Sequence, residues 1–130
     1  MKKAARFLFT AALLALAWSA SADNPDRIIG RYLSHDRDGE FIVYYDGELY
    51  QGVIVYSRSY GGSNCRRVII LRDLRYDAEK DEWNGKIYDM RFDRQYNLRV
   101  RLLPSGDMRI TPWWGPLKMN FTWTRLPDET

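Results

Sequence analysis

Few side chains in this chain could support catalysis. His35 is the only histidine and Cys65 the only cysteine. A hydrolytic triad holds a nucleophile, a base and an orienting acid within hydrogen-bonding reach of one another, and neither residue has the strand-to-helix context that exposes such a nucleophile. Two arginines follow Cys65 and would favour its thiolate, although a buried or unpaired thiol is the simpler interpretation. We therefore predict that the protein is not an enzyme.

The acidic run at Asp36, Asp38 and Glu40 resembles part of a calcium-binding loop. An EF-hand spreads its oxygen ligands over a longer loop between two helices, and no helix is predicted on either side of this run. Asp and Gly are also the usual residues of tight turns, so a hairpin turn is the expected structure. One cysteine and one histidine are too few for a structural zinc site. We predict no metal and no cofactor.

Aromatic side chains indicate binding rather than catalysis. Trp113 and Trp114 are adjacent, and neighbouring residues of a strand point to opposite faces, so both indoles cannot lie in one core. The outer indole either marks a binding surface or covers one end of the fold. Tyr88 and Asp89 stand where a predicted strand meets its turn. The carboxylate there either caps the turn or orients a ligand.

The elements that must position these residues are short strands. Apolar and polar residues alternate along most of the chain, and Gly, Asp, Asn or Pro interrupt the alternation every few residues, which is typical of antiparallel strands. Eight strands are predicted: Ile28–Ser34, Phe41–Tyr45, Glu48–Tyr56, Arg67–Leu74, Trp83–Tyr88, Tyr96–Leu102, Met108–Thr111 and Lys118–Arg125. We expect Pro112 and the Gly115-Pro116 pair to end the seventh strand, and Met119 to point inward on the eighth.

The strands predict an all-β protein with a single eight-stranded antiparallel up-and-down barrel of the lipocalin or avidin type. A closed barrel hides the apolar face of every strand and leaves no unpaired sheet edge. A two-sheet sandwich is the alternative. The barrel is favoured because every connection but one is short enough for a hairpin.

The N-terminal residues 1–22 are typical of a secretory signal peptide. Lys2, Lys3 and Arg6 precede an apolar run, and small residues lead to Ala22, as in a signal with its cleavage site. The run is shorter than the roughly 20 apolar residues of a membrane span. We therefore expect a barrel domain over residues 23–130, in the periplasm or secreted, with no transmembrane segment in the mature chain.

Removal of the signal changes the charge of the protein. The signal holds three of the 20 basic residues, which leaves 17 against 17 acidic residues in the mature chain. Nucleic-acid binding usually needs an excess of basic residues to neutralise phosphates. We therefore predict no nucleic-acid partner. The single cysteine also means that no internal disulfide can form.

Several motifs resemble those of known exported barrels. The segment Ile29–Tyr32 resembles the Gly-x-Trp element that opens lipocalin-like barrels, with Tyr32 in place of Trp, and Phe121–Arg125 resembles the strand whose Arg covers that ring. Further segments resemble the bacterial domain-of-unknown-function family 2147: Leu49–Val55, Trp83–Asp89 and Gly115–Leu117. The resemblance extends over Ile28 to Arg125. It implies an exported, lipocalin-like barrel with no settled activity.

One difference from the family pattern concerns the second hairpin. Many of the relatives carry two cysteines beside it, at places that correspond here to Tyr45 and Tyr50. Cys65 lies elsewhere and cannot replace that pair. The resemblance therefore does not extend to whatever those cysteines do.

The composition of the predicted barrel favours a binding function. Barrels of this size either fill with their own side chains or hold one small ligand. We expect a small apolar or amphipathic ligand at the open end, with walls from Trp83, Tyr96 and the Trp113–Trp114 pair and polar groups from Tyr88 and Asp89. The alternative is a periplasmic protein-interaction module, an inhibitor or an envelope factor, with a filled barrel and an exposed indole.

Overall fold

The computed structural model describes residues 24–65 and 67–128. The predicted signal peptide lies outside these residues. Nine strands occur in the described part of the chain: β1 Gly30–Leu33, β2 Gly39–Tyr45, β3 Tyr50–Ser57, β4 Ile69–Asp77, β5 Glu82–Asp89, β6 Arg94–Leu102, β7 Met108–Trp114, β8 Leu117–Lys118 and β9 Phe121–Leu126. Short 3₁₀ segments lie at Pro25–Ile28, Arg58–Tyr60 and Ser63–Cys65. No helix in the described residues is long and apolar enough to cross a bilayer.

The strands form one closed antiparallel barrel. Strands β1 to β6 follow one another as a meander, β6 pairs with β7, β7 with β9, and β9 with β1. Eight strands therefore make the wall, and the two-residue β8 pairs only with the end of β7. This closure confirms the predicted eight-stranded up-and-down barrel and excludes the sandwich.

The barrel interior is filled by the side chains that alternate inward. Cross-strand neighbours such as Tyr32 and Phe41, or Trp83 and Val100, are all at most 6% exposed. The largest of the buried side chains include Trp83, Tyr32, Leu71, Leu98, Met108 and Ile110. They belong to one contiguous apolar cluster. Burial of this apolar surface is the main force that favours folding. The same side chains occupy the space that a deep ligand cavity would need.

The two ends of the barrel differ. The 3₁₀ segment Pro25–Ile28 covers one end, where Ile28 is fully buried and its carbonyl accepts a 2.8 Å hydrogen bond from Tyr32 Oη. Burial raises the pKa of Tyr32 to about 12. The guanidinium of Arg125 lies 5.4 Å from the centre of the Tyr32 ring, within cation–π range, so the predicted contact between these residues is confirmed. We call this end the closed end.

The opposite end of the barrel is the open end. Because the barrel is an up-and-down meander, the β1–β2 and β5–β6 turns, the β3–β4 loop and the β7–β9 connection all lie there. The remaining hairpin turns and both ends of the barrel chain lie at the closed end. This assignment decides which of the predicted site residues can meet.

Strand β7 continues through Pro112, although the sequence predicts that it ends there. Pro112 pairs with Leu98 of β6, and its carbonyl accepts a 3.1 Å hydrogen bond from Met119 N on the other side. A residue's N–H and C=O point to the same side of a strand, so the missing N–H of Pro112 faces away from β6. Strand β9 pairs with β7 only as far as Ile110, so Pro112 lies beyond the β7–β9 ladder and removes no hydrogen bond from it. Proline is tolerated at such edge positions of a sheet.

Met119 is the second departure from the predicted strands. The sequence places it inward on a long last strand, but its side chain is 58% exposed. The chain first pairs back on β7 through Leu117 and Lys118, and β9 begins only at Phe121. The inward alternation therefore applies from Phe121 onward.

Candidate functional site

A short hairpin extends β7 beyond the barrel wall at the open end. Trp113 pairs with Lys118, and Trp114 with Leu117, so Gly115 and Pro116 form a two-residue turn. Gly115 has a φ of +56°, and proline fixes a negative φ next to it. This order of signs is typical of the type II′ turns that connect tight hairpins. The local sequence thus explains why the chain reverses here.

The hairpin exposes large apolar side chains. Trp114 and Leu117 are each 64% exposed. Trp113 and Met119 are exposed as well. Single apolar residues on a surface are ordinary, whereas a group of them at one place marks a binding surface.

The neighbouring β5–β6 turn adds a fifth exposed apolar side chain. Phe92 is 65% exposed, and the Arg91 guanidinium lies 5.4 Å from its ring centre. Arg91 also binds the carboxylate of Asp89 at 3.2 Å. We define the apolar rim by these five side chains, all at the open end: Phe92, Trp113, Trp114, Leu117 and Met119.

Asp89 is the last residue of β5 and begins the turn that holds Phe92. Burial by itself raises the pKa of Asp89, but hydrogen bonds from the side chain and the backbone N–H of Arg91 outweigh it, so the pKa is lowered overall. The carboxylate is therefore ionised and already neutralised by Arg91. It holds the turn together, and its arginine presents a cation beside Phe92.

The structure brings together four of the six site residues predicted from sequence. Trp113 and Trp114 belong to the rim itself. Tyr96 is half-buried, pairs with Ile87, and alternates with the buried Leu98, so it faces inward near the open end. Asp89 lies at the same end, in the last position of β5.

The other two predicted site residues are not part of the rim, although Tyr88 precedes Asp89 and lies near the same end. Trp83 is fully buried near the closed end, with its ring centre 4.9 Å from that of Tyr76 and 5.6 Å from the guanidinium of Arg27. Tyr88 is on the outer wall, where the Arg72 guanidinium stacks 4.2 Å from its ring centre. Its hydroxyl donates to Asp93 at 2.7 Å, and this bond raises the pKa of Tyr88.

The sequence does not predict three of the rim residues. Phe92 stands in a charged turn, and Leu117 follows a Gly-Pro pair, so neither belongs to an alternating strand. Met119 has the phase of an inward residue. Phe92 and Leu117 could have been identified as large apolar residues in turns, because a side chain in a turn has no core to pack against.

The two side chains considered for catalysis, His35 and Cys65, both make other contacts in the structure. The His35 ring stacks on Phe121 with 4.1 Å between ring centres, and Cys65 is buried with its Sγ donating to the Gly62 carbonyl at 3.1 Å. The described residues contain no group of three or more His, Cys, Asp or Glu side chains that could hold a metal ion.

The acidic run after β1 forms a turn. Asp36 accepts hydrogen bonds from Ser34 Oγ at 2.6 Å and from the backbone N–H of Asp38 at 3.1 Å. Asp38 accepts from Ser57 Oγ at 2.6 Å. The carboxylates therefore fix the β1–β2 turn against β3.

Two depressions lie on the outside of the barrel. One of about 460 Å³ lies on the outer wall between Gln51, Arg72 and Asp73, and one of about 420 Å³ lies at the closed end between Arg27 and Arg125. Inside the barrel, the indole N–H groups of Trp83 and Trp123 have no acceptor among the described residues.

Comparisons with known proteins agree with the architecture. The protein HP1028 from Helicobacter pylori, which belongs to the lipocalin family, superposes with a TM-score of 0.62 over 78% of this chain and 84% of that chain, at 20% sequence identity. This chain has a lipocalin-like fold. No protein-family model and no curated protein matches its sequence. The lipocalin-like barrel is thus established by its shape.

Proposed function

We propose that the protein is exported and binds a small apolar or amphipathic molecule at the open end of its barrel, without catalysis. The observation that carries the proposal is the apolar rim, where five large apolar side chains are exposed at one end of the fold. Lipocalin-like barrels are shaped to bind small ligands at their mouths. Because the interior is filled, the ligand would lie on the rim and above Tyr96.

A ligand on the rim is bound by removal of apolar surface from water. At about 25 cal/mol per Å², covering roughly 200 Å² of apolar surface would contribute about 5 kcal/mol before the cost of association is subtracted. A shallow site therefore supports only weak binding. Lys118 lies across from Trp113, so it favours an amphipathic molecule with an anionic head.

The proposal is tested by titration with a fatty acid below its micelle concentration. We expect Trp114→Ser to weaken binding about fivefold or more, because the most exposed indole supplies much of the contact. Tyr45→Ser is the matched control, since Tyr45 is 49% exposed but lies at the closed end. Equal affinity in the parent and Trp114→Ser would contradict the proposal.

Export has its own test. If residues 1–22 are a signal peptide, protein purified from the periplasm should begin at Asp23. Mass spectrometry of that protein gives the answer directly, and an intact N-terminus in the cytoplasmic fraction alone would contradict export. The same spectrum, recorded under native conditions, shows whether a small molecule is bound.

A protein-interaction module is the second candidate function. It is supported by the projection of Trp114 and Leu117 on a hairpin beyond the wall of a filled barrel. In that case Trp114→Ser should abolish capture of a protein partner without a change in thermal stability. Fatty-acid binding would then be absent from the parent protein as well, which separates the two candidates.

A further inference from the structure

The outer face of four neighbouring strands carries most of the exposed cations of the wall. These cationic side chains alternate along the strands with buried residues such as Trp83, Leu98 and Ile110, so they point outward. We define the basic wall by six residues on β4 to β7: Arg72, Arg75, Lys86, Arg99, Arg101 and Arg109. Asp73 and Glu82 are acidic residues among them.

The acidic residues of the chain concentrate in turns instead. Asp46 accepts from the backbone N–H groups of Glu48 and Leu49 at 2.9 and 2.8 Å. Asp77 and Asp89 cap the next turns in the same way. Asp is favoured in turns for this hydrogen bond, and long cations are favoured on exposed strand edges and faces. The neutral mature chain therefore separates its charges in space.

The basic wall contains like charges directly opposite each other. Arg72 pairs with Lys86 and Arg101 pairs with Arg109 across neighbouring strands. Such pairs destabilise a sheet. The fold therefore retains a repulsion that a single substitution would remove.

The protein neutralises only part of this charge. Glu82 is 3% exposed and binds Arg101 at 2.9 Å and Arg99 at 3.6 Å. Arg75 and Arg109 are exposed and form no ion pair within the described residues. The wall thus keeps a net positive charge that faces solvent.

The basic wall continues into the apolar rim. Trp113 lies across from Asn97 on one side and Lys118 on the other, and it is 38% exposed on the same outer face. Cations beside exposed Trp, Leu and Phe are typical of surfaces that lie in the interface of an anionic bilayer. A nucleic acid would satisfy the charge but would give Leu117 and Met119 no apolar partner.

We propose that the protein docks on an anionic lipid bilayer, with the basic wall against the headgroups and the β7–β8 hairpin in the interface. Charge complementarity attracts the wall, since each Lys or Arg near such a surface adds to the binding. The hairpin then places Trp114 and Leu117 at the level of the headgroups. The inference shares the hairpin with the proposed function but does not require a small ligand.

Sedimentation with vesicles tests the proposal. The exported protein should bind vesicles of phosphatidylcholine with phosphatidylglycerol, and binding should weaken as salt is added. It should bind phosphatidylcholine alone much less. Arg75→Gln with Arg109→Gln should weaken binding to the anionic vesicles roughly 20-fold, because each cation contributes about fivefold.

The variants are matched to their controls. Arg75 and Arg109 hold no ion pair within the described residues, so the double variant should fold with unchanged or higher stability. The variant Arg75→Lys with Arg109→Lys keeps both charges and should bind the anionic vesicles as the parent does. Arg37→Gln with Lys80→Gln removes the same charge from turns outside the wall and should bind within about twofold of the parent.

Four results would overturn the proposal: no binding to anionic vesicles, equal binding to both vesicle types, parent-like binding by the glutamine variant, or salt-sensitive binding to duplex DNA in place of vesicles. The glutamine variant should still bind fatty acid in the earlier titration. If the parent protein binds no fatty acid, the proposed function is contradicted. Vesicle binding by that same protein would still support the docking proposal.

Discussion

Arg125 connects the two strands that close the barrel. Only three residue pairs join β1 to β9, and the Arg125 guanidinium adds hydrogen bonds to the carbonyls of Arg27, at 3.0 Å, and Ile29, at 2.5 Å. A lysine keeps the charge but lacks the planar fork that reaches both carbonyls. The seam therefore depends on the shape of this side chain as well as on its charge.

We predict that Arg125→Lys lowers the free energy of unfolding by about 1–3 kcal/mol, the usual range for hydrogen bonds from a charged donor. Urea denaturation measures it. Arg109→Lys is the control, because Arg109 is exposed on the wall, and it should change stability by less than about 0.5 kcal/mol. Equal stability of the two variants would contradict this role of Arg125.

Asp46 gives a pH-dependent contribution to stability. The backbone N–H of Leu49, the amide of Gln51 and the backbone N–H of Glu48 hold the pKa of Asp46 below its usual value. A carboxylate with a lowered folded-state pKa stabilises the fold above its unfolded value of about 3.9, and the contribution is lost as pH falls through the folded value. The loss therefore belongs to the region below about pH 4.

We predict that Asp46→Asn has a flatter dependence of melting temperature on pH than the parent below about pH 4. The asparagine keeps an oxygen that can accept from the backbone, but it does not titrate. Thermal unfolding at several pH values in both proteins measures the difference. Parallel curves would show that Asp46 contributes nothing.

At the scale of elements, β4 contains a bulge that requires a glycine on the next strand. The register shifts between Arg72 and Arg75, and Asp73 has a φ of +56°. A Cβ on Gly85 would come within 2.4 Å of the Arg72 carbonyl oxygen and 2.8 Å of that of Asp73. These neighbours are backbone atoms, so they cannot rotate away.

We predict that Gly85→Ala lowers the free energy of unfolding by about 1–3 kcal/mol, as overpacking does. Lys86→Ala, one residue later and exposed, should lower it by less than about 0.5 kcal/mol. Chemical denaturation of both variants tests the difference. An unchanged free energy of unfolding in Gly85→Ala would contradict this, because it would show that the bulge can relax around the added methyl group.

The elements also show what alternation can predict. Leu98, Val100 and Trp123 are buried as their phase requires, and the barrel follows from such strands. Alternation assigns a face, but it does not say at which end of the barrel a residue lies. The sequence therefore predicts Trp83 beside Trp113, although strand direction places Trp83 near the closed end.

Residues outside alternating strands were the least predictable part of the site. Phe92 and Leu117 can be assigned to the apolar rim only once the turns are placed at one end of the barrel. Met119 follows a strand pattern, but pairing of β8 with β7 takes it out of the wall. The sequence thus predicted the two indoles of the rim and missed its other members.

At the scale of the whole molecule, no internal disulfide contributes to stability. The chain has one cysteine, and Cys65 is buried in the β3–β4 loop. Tyr45 and Tyr50 pair across the β2–β3 hairpin, and their ring centres lie 5.1 Å apart. An aromatic contact therefore joins the two strands at this point.

We therefore predict that the unfolding midpoint is the same with and without dithiothreitol, because no disulfide constrains the unfolded chain. The protein should also run as a monomer on a non-reducing gel. A disulfide-linked dimer would show that Cys65 becomes accessible, and would contradict its placement in the core.

We propose that binding occurs on the rim and not inside the barrel, and the indole N–H resonances test this most directly. Signals of Trp113 and Trp114 report the rim, while those of Trp83 and Trp123 report the interior. In a two-dimensional ¹H–¹⁵N spectrum with a spin-labelled fatty acid, we predict that the two rim indole signals broaden and the two interior signals persist. Broadening of the Trp83 or Trp123 signal before those of the rim would contradict the account.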